Sequence, residues 1–230
     1  MMPQLAELTS PEIEARAADS VLVIPIGSTE QHGPHLPLST DTEVAVALCE
    51  RLAAARDDVL VAPALAYGSS GEHAGFAGTL SIGQAALELL IVELCRSAFD
   101  TFHRVLLVSA HGGNHEPLTR AVRQLRAESR AVQLFSPSWD GDPHAGHHET
   151  SMMLALTPEH VRMERALPGD LRSLAELMPT LRTGGVRAVT DTGILGDPTH
   201  ADPEFGHHLL ETFSATLLHE FTTWLPSERA

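Results

Sequence analysis

Val21-Leu22-Val23-Ile24-Pro25-Ile26-Gly27 is a short, unbroken apolar run, and Arg104-Val105-Leu106-Leu107-Val108-Ser109 repeats its form further along the chain. Such runs read as strands buried on both faces, as in a sheet covered by helices on either side. Pro25 has no backbone donor, so it predicts an edge position or an irregular strand end. Val59-Leu60-Val61-Ala62 and Val132-Gln133-Leu134-Phe135 read as two further strands. Helical patterns lie between them. One starts at Asp41-Thr42-Glu43, acidic in its first turn as the macrodipole prefers, and runs to about Leu52. Others span Gln84 to Phe99 and Glu116 to Glu128, a short one ends near Leu156, and the last runs from Pro203 to Trp224. The stretch 157–203 is broken by Pro and Gly and resists reading. Strands alternating with helices predict an α/β fold, three-layered α/β/α around a mostly parallel sheet. With no internal repeat, linker or low-complexity segment, residues 1–230 read as a single domain.

Composition narrows the function classes. A chain of 230 residues that is 43% hydrophobic can bury a sizeable core and is not disordered. No apolar run approaches the roughly 20 residues that span a bilayer. The start, Met1-Met2-Pro3-Gln4-Leu5-Ala6-Glu7, has neither the basic nor the apolar region of a signal peptide, so a cytoplasmic location is expected. Asp and Glu number 30 against 15 basic residues, all of them Arg, for a net charge of −15. That charge repels phosphate, which argues against nucleic acid and anionic membrane as partners. Cys49 and Cys95 fall in apolar helical patterns and read as buried thiols in a reducing compartment.

Histidine is the unusual component, with 14 in the chain. Several cluster with carboxylates and glycines directly after predicted strands, where the ligands of open α/β sheets bind. In Gly27-Ser28-Thr29-Glu30-Gln31-His32-Gly33, extended backbone would turn Glu30 and His32 to one pocket. Asp41 follows at a helix start, where the helix end favours its ionised form. His111-Gly112-Gly113-Asn114 follows the next strand, with Asn114 read as a helix cap or a pocket residue. His144 and Glu149 come after the last strand. Glu30, His32, Asp41, His111 and Glu149 form a mixed N/O ligand set suited to Zn, Mn or Fe(II). The surplus of carboxylates fits a pair of ions bridged by one of them, an arrangement that activates water for hydrolysis. Pro63 to Gly83, containing Tyr67, Glu72 and His73, is long for a connector and reads as functional. It lacks the Lys and the spacing of a nucleotide loop. It and Trp139 are candidates for the pocket wall. His35, His103, His160, His207, His208 and His219 read as core or surface residues, with His147 and His148 held open as outer partners of a ligand.

These motifs resemble the creatininase (creatinine amidohydrolase) family. The residues that carry the resemblance are Gly27 to Leu38 with Thr40-Asp41-Thr42, His111 to Asn114, and His144-Ala145-Gly146 with Glu149-Thr150-Ser151. The resemblance implies an α/β/α amidohydrolase with two divalent metal ions, assembled as a homo-oligomer. It implies that Glu30 and His111 hold one ion and His32 the other, that Asp41 bridges them, and that His144 moves protons. The family's creatinine-hydrolysing members carry a metal-binding Glu where this chain has Gly113. Either the second ion is held more weakly or Glu149 supplies the carboxylate, and Glu149 is the favoured reading. His144 and Glu149 are thus the candidate catalytic residues. Segments outside the metal motif, Ala62 to His73, Phe76 to Gly83, Gly141 to His147, Gly184 to Val186 and Thr192 to Pro198, resemble the peptidase branch found in mycofactocin systems. That implies a modified precursor peptide as partner, cut to release its altered C-terminal Val-Tyr unit. The alternatives are a formamide hydrolase acting on a ribosylaminopyrimidine and a creatinine-type cyclic amide hydrolase. The first loops hold no Arg for the phosphate of the former, and Gly113 weakens the latter.

Overall fold

Four parallel strands form the sheet, in the order β2-β1-β3-β4, with β1 at Val21–Ile26, β2 at Val59–Val61, β3 at Val105–Ser109 and β4 at Val132–Phe135. The computed structural model describes residues 4–225. Leu22 lies beside Val105 and Ile26 beside Ser109, so the carboxyl ends of β1 and β3 finish level. Alternate residues of β1 serve opposite faces. Val21 and Val23 pack with Leu48, Met152, Leu210 and Phe213, whereas Leu22, Ile24 and Ile26 pack with Leu87, Ile91, Leu118 and Leu125.

Helices α2 (Thr40–Ala55), α5 (His147–Leu156) and α7 (Pro203–Trp224) cover the first face. Helices α3 (Gln84–Ala98) and α4 (His115–Ala127) cover the second, while α1 (Ser10–Glu14) and α6 (Leu174–Gly184) are peripheral. The three-layer α/β/α expectation is met, and Cys49 and Cys95 are buried free thiols in α2 and α3. No helix among the described residues is long and apolar enough to cross a membrane.

Pro25 is a correction in part. β1 is an inner strand, not an edge, and Pro25 sits beside Val108. Odd residues of β1 turn their polar groups toward β2, where Val23 O accepts from Ala62 and Pro25 O from Leu65. The donor that Pro25 lacks falls where β2 has already ended at Val61, so no ladder bond is lost.

This sheet order puts the topological switch point between β1 and β3, where the outward directions of the chain diverge. Gly27 closes β1 there. A Cβ on it would lie 2.4 Å from the Thr42 Cα, so only glycine lets the first turn of α2 rest on the strand end. That close approach places Asp41 over the gap between the two central strands.

Candidate metal centre

Asp41 is the centre of the site. Its Oδ1 lies 3.2 Å from His32 Nε2 and its Oδ2 lies 3.2 Å from His111 Nδ1, one oxygen turned to each imidazole. Ser28 Oγ donates to Oδ2 at 2.6 Å and holds the carboxylate in that attitude. His32 donates from Nδ1 to the Glu30 carbonyl at 3.1 Å, which leaves Nε2 as the atom facing Asp41 and Glu149, the latter at 4.0 Å. His111 donates from Nε2 to the Ser69 carbonyl at 3.0 Å, leaving Nδ1 for Asp41. In both rings a backbone carbonyl selects the tautomer, as it does for metal-ligating histidines.

Glu30 shows what the pocket lacks. Its carboxylate is fully buried, yet among the described residues neither oxygen finds an aligned hydrogen-bond donor, although His111 Nε2 and His73 Nε2 each lie 3.2 Å away. A buried anion left so poorly partnered is costly, and a cation among these groups would relieve it. Two groupings of donors fit that need, Glu30-Asp41-His111 and His32-Glu149 with His144; a third, Glu30-His73-His144, is also close enough.

Protons balance the charge when no ion does. Burial pushes Glu30 and Glu149 up to about 7. Burial also works to lower His32 and His111, but the surrounding Asp41, Glu30 and Glu149 carboxylates outweigh it and raise both to about 10. Asp41 is held well below the usual carboxylate range, because the two imidazoles overcome its desolvation. His144 and His73 move the other way, kept neutral by burial and by the charged His32 beside them.

All five residues read from the sequence as ligands therefore meet in one chamber. Glu30 and His32 share it without a regular strand beneath them, because the segment after Ile26 leaves the sheet. Glu149 arrives from the first turn of α5, its Oε2 accepting the Ala145 N–H at 2.5 Å. His144 lies with its ring centroid 4.4 Å from those of both His32 and His73. Gly113 has a local cause. A Cβ there would sit 2.2 Å from Glu72 Oε1, 2.3 Å from Ser69 O and 2.5 Å from His111 Nε2, so the 67–73 loop occupies the space a side chain would need.

Sequence reasoning marks the loop of Glu72 and His73 as functional without giving either residue a role, and it passes over Gln31. His73 is buried against Glu30, Gln31 bonds to both His73 and His144, and Glu72 lies 3.7 Å from His111 Nε2 with 35% of its side chain exposed. The improbable length of the Pro63–Gly83 loop was the available signal. Asn114 stands at the N-cap of α4, but its side chain makes no capping bond; it accepts from Ser69 N at 2.8 Å and donates to Gly27 O at 2.9 Å, tying the loop to the end of β1. Trp139 packs on Phe213, with ring centroids 5.6 Å apart. His147 bonds to the His200 carbonyl and packs on Phe205, and His148 stacks on Trp139, so neither braces a ligand. His103, His160, His207, His208 and His219 are exposed, and His35 is a buried partner of Thr150. The unreadable stretch covers the pocket within its own chain: Leu195 pairs with His144 and Gly193 O accepts from Gln31. It also lays Arg187 over Phe76, a cation the first loops do not themselves contain.

Residues 6–221 match the model of the family described as creatininase: creatinine amidohydrolase. The chain belongs to the creatininase family. It is 46% identical to the mycofactocin precursor peptide peptidase of Mycobacterium tuberculosis (strain CDC 1551 / Oshkosh), over 97% of this chain and 92% of that one. It is 33% identical to the creatinine amidohydrolase of Pseudomonas putida, over 71% of this chain and 75% of that one. Among solved structures, a tryptophan-to-phenylalanine mutant of creatininase superposes with a TM-score of 0.83 at 28% identity, covering 97% of this chain and 99% of that one. A structure described as creatininase Mn gives 0.81 at 27% identity, covering 97% and 98%. The chain is a hydrolase of this metal-dependent amidohydrolase family.

Proposed function

We propose that this creatininase-family hydrolase cuts an amide bond in a modified precursor peptide and releases its C-terminal Val-Tyr-derived unit, in the cytoplasm and as a homo-oligomer. The mycofactocin precursor peptide peptidases at 46% identity over nearly the whole chain support the substrate. Asp41, with one oxygen toward each imidazole, is the observation that carries a two-ion centre. Glu30, Asp41 and His111 would hold one ion, and His32, Asp41 and Glu149 the other, with Zn, Mn or Fe(II) suited to this donor set. Such ions supply Lewis-acid polarisation of the scissile carbonyl and activation of the attacking water.

The chain's own residues do the rest. Ser28 fixes the rotation of Asp41, and the Ala145 N–H fixes that of Glu149. Leu195 and Gly193 close one side of the chamber against water. His144, neutral through burial, is free to take a proton at Nδ1 and deliver it to the leaving amine, without which the C–N bond would re-form.

Mass spectrometry of the modified precursor peptide after incubation tests this reading. Zinc-, manganese- or iron-loaded protein is expected to release a small C-terminal fragment, and metal-free protein or Asp41→Ala to release none. Two bound ions with no cleavage would move the substrate to a formamide or a cyclic amide. Full cleavage by Asp41→Ala would overturn the centre itself.

A further inference from the structure

Gln31 lies between two of the proposed ligands in sequence, yet its side chain crosses to the far wall of the chamber. Two backbone groups of fixed polarity anchor it. Its Oε1 accepts from the Gly33 N–H at 2.9 Å and its Nε2 donates to the Gly193 carbonyl at 3.1 Å. A backbone N–H cannot accept and a carbonyl cannot donate, so the amide has one possible orientation. The second proton of Nε2 then faces two imidazole nitrogens, His73 Nδ1 at 2.8 Å and His144 Nε2 at 3.1 Å.

Only one of these nitrogens can accept it. His144 Nε2 also lies 2.9 Å from the Gln31 backbone carbonyl, which can only accept, so Nε2 carries its own proton and donates there. The amide proton therefore goes to His73 Nδ1, which must be bare. The single proton of each neutral ring sits on Nε2. The two rings nevertheless offer the chamber different atoms. His73 sets its protonated Nε2 3.2 Å from Glu30 Oε1, without the alignment of a hydrogen bond, whereas His144 sets a bare Nδ1 3.9 Å from the same oxygen.

We propose that Gln31 is the positioning residue that divides these two histidines between roles, through its backbone carbonyl for His144 and its side-chain amide for His73. His144 is left with a free Nδ1, the atom that exchanges protons during hydrolysis, and this part rests on the hydrolase reading above. His73 is left with its proton on Nε2, beside the Glu30 carboxylate, and is barred from holding a metal. Ligation through His73 Nε2 would put the ring proton on Nδ1, pointing it against the amide N–H of Gln31. Of the three donor groupings, Glu30-His73-His144 is thus not a metal site.

Two-bond 1H–15N spectra of 15N-histidine-labelled protein, metal-free and zinc-loaded, read the tautomers directly, with His73→Gln and His144→Gln to assign the signals. Both rings are expected to show the proton on Nε2 in both states. Gln31→Glu keeps the shape and removes the donor. It is expected to move the His73 proton to Nδ1, to leave His144 unchanged, and to lower kcat about 10–100-fold with KM unaltered. A wild-type proton on Nδ1 of either ring, zinc ligation at His73, or an unaltered His73 in Gln31→Glu would overturn the proposal. If Gln31→Glu does not fold, the wild-type spectra still decide. The expected spectra from a protein that cuts no peptide would uphold the tautomers and remove the hydrolase reading alone.

Discussion

The Glu30 carboxylate, buried and without a hydrogen bond, sits beside a histidine whose successor but one is a glycine. Both facts follow from how tightly the 67–73 loop lies over His111. Gly113→Ala would press a methyl against the Ser69 carbonyl, which cannot swing aside as a side chain could. It is expected to cost about 1–3 kcal/mol and to displace His111, seen as a lower Tm together with lost metal in elemental analysis. Glu149→Gln tests the other carboxylate. It keeps size while removing charge, so the protein is expected to bind one ion per chain in place of two and to lose on the order of 100-fold or more in turnover. Two tightly bound ions in Glu149→Gln would return the second site to other donors. The five ligand candidates were legible because each stands directly after a strand or at a helix start, where chain direction alone brings side chains together. His73 and Gln31 were not legible. Their partners lie far away in sequence, and no local pattern states that a loop and the 193–195 segment fold onto one amide.

At the level of elements, α5 must be held in register with the loop after β1 for Glu149 to reach His32. His35 supplies that tie. Its Nε2 meets Thr150 Oγ1 at 2.9 Å, while its Nδ1 is buried without a partner among the described residues. Burial, helped by the charge on His32, holds His35 neutral with its pKa lowered to about 4. Thr150→Val keeps the shape and removes the hydroxyl, leaving the ring with no hydrogen bond at all. The expected loss is about 1–3 kcal/mol, or a Tm lower by about 3–10 °C for a chain of this size. An unchanged Tm would mean that α5 is held by its apolar face alone. α7 could be read from sequence between its bounds because Asp202 and Pro203 announce its start, and Asp202 does accept from Glu204 N and Phe205 N. α6 escaped notice even though Ser173 and Glu176 form a capping box ahead of it. Pro179 within it and Gly184-Gly185 after it carry the signals of a loop, and those masked the cap.

For the whole molecule, the centre makes stability depend on metal and on pH together. In metal-free protein His32 and His111 are raised to about 10, whereas an unfolded histidine titrates near 6.5. A raised pKa means that folding takes up protons. The stability this confers is complete below about 6.5 and is lost as pH climbs toward 10. Between pH 7 and 9 the Tm of metal-free protein is therefore expected to fall. His35, shifted the other way, is neutral in the folded chain over that range, and its small opposing slope fades above pH 7 as the unfolded histidine loses its proton. A divalent ion must displace the same protons, so its affinity should rise on the order of tenfold per pH unit for each proton released. At a free zinc concentration 100 times the dissociation constant, binding adds about 2.7 kcal/mol, which is about 5–10 °C in Tm. Calorimetric scans with buffered free zinc should thus show a zinc-induced rise in Tm that widens from pH 7 to pH 9. A gap that did not widen would mean that zinc displaces no protons from the centre over that range, so the imidazoles are already unprotonated without metal.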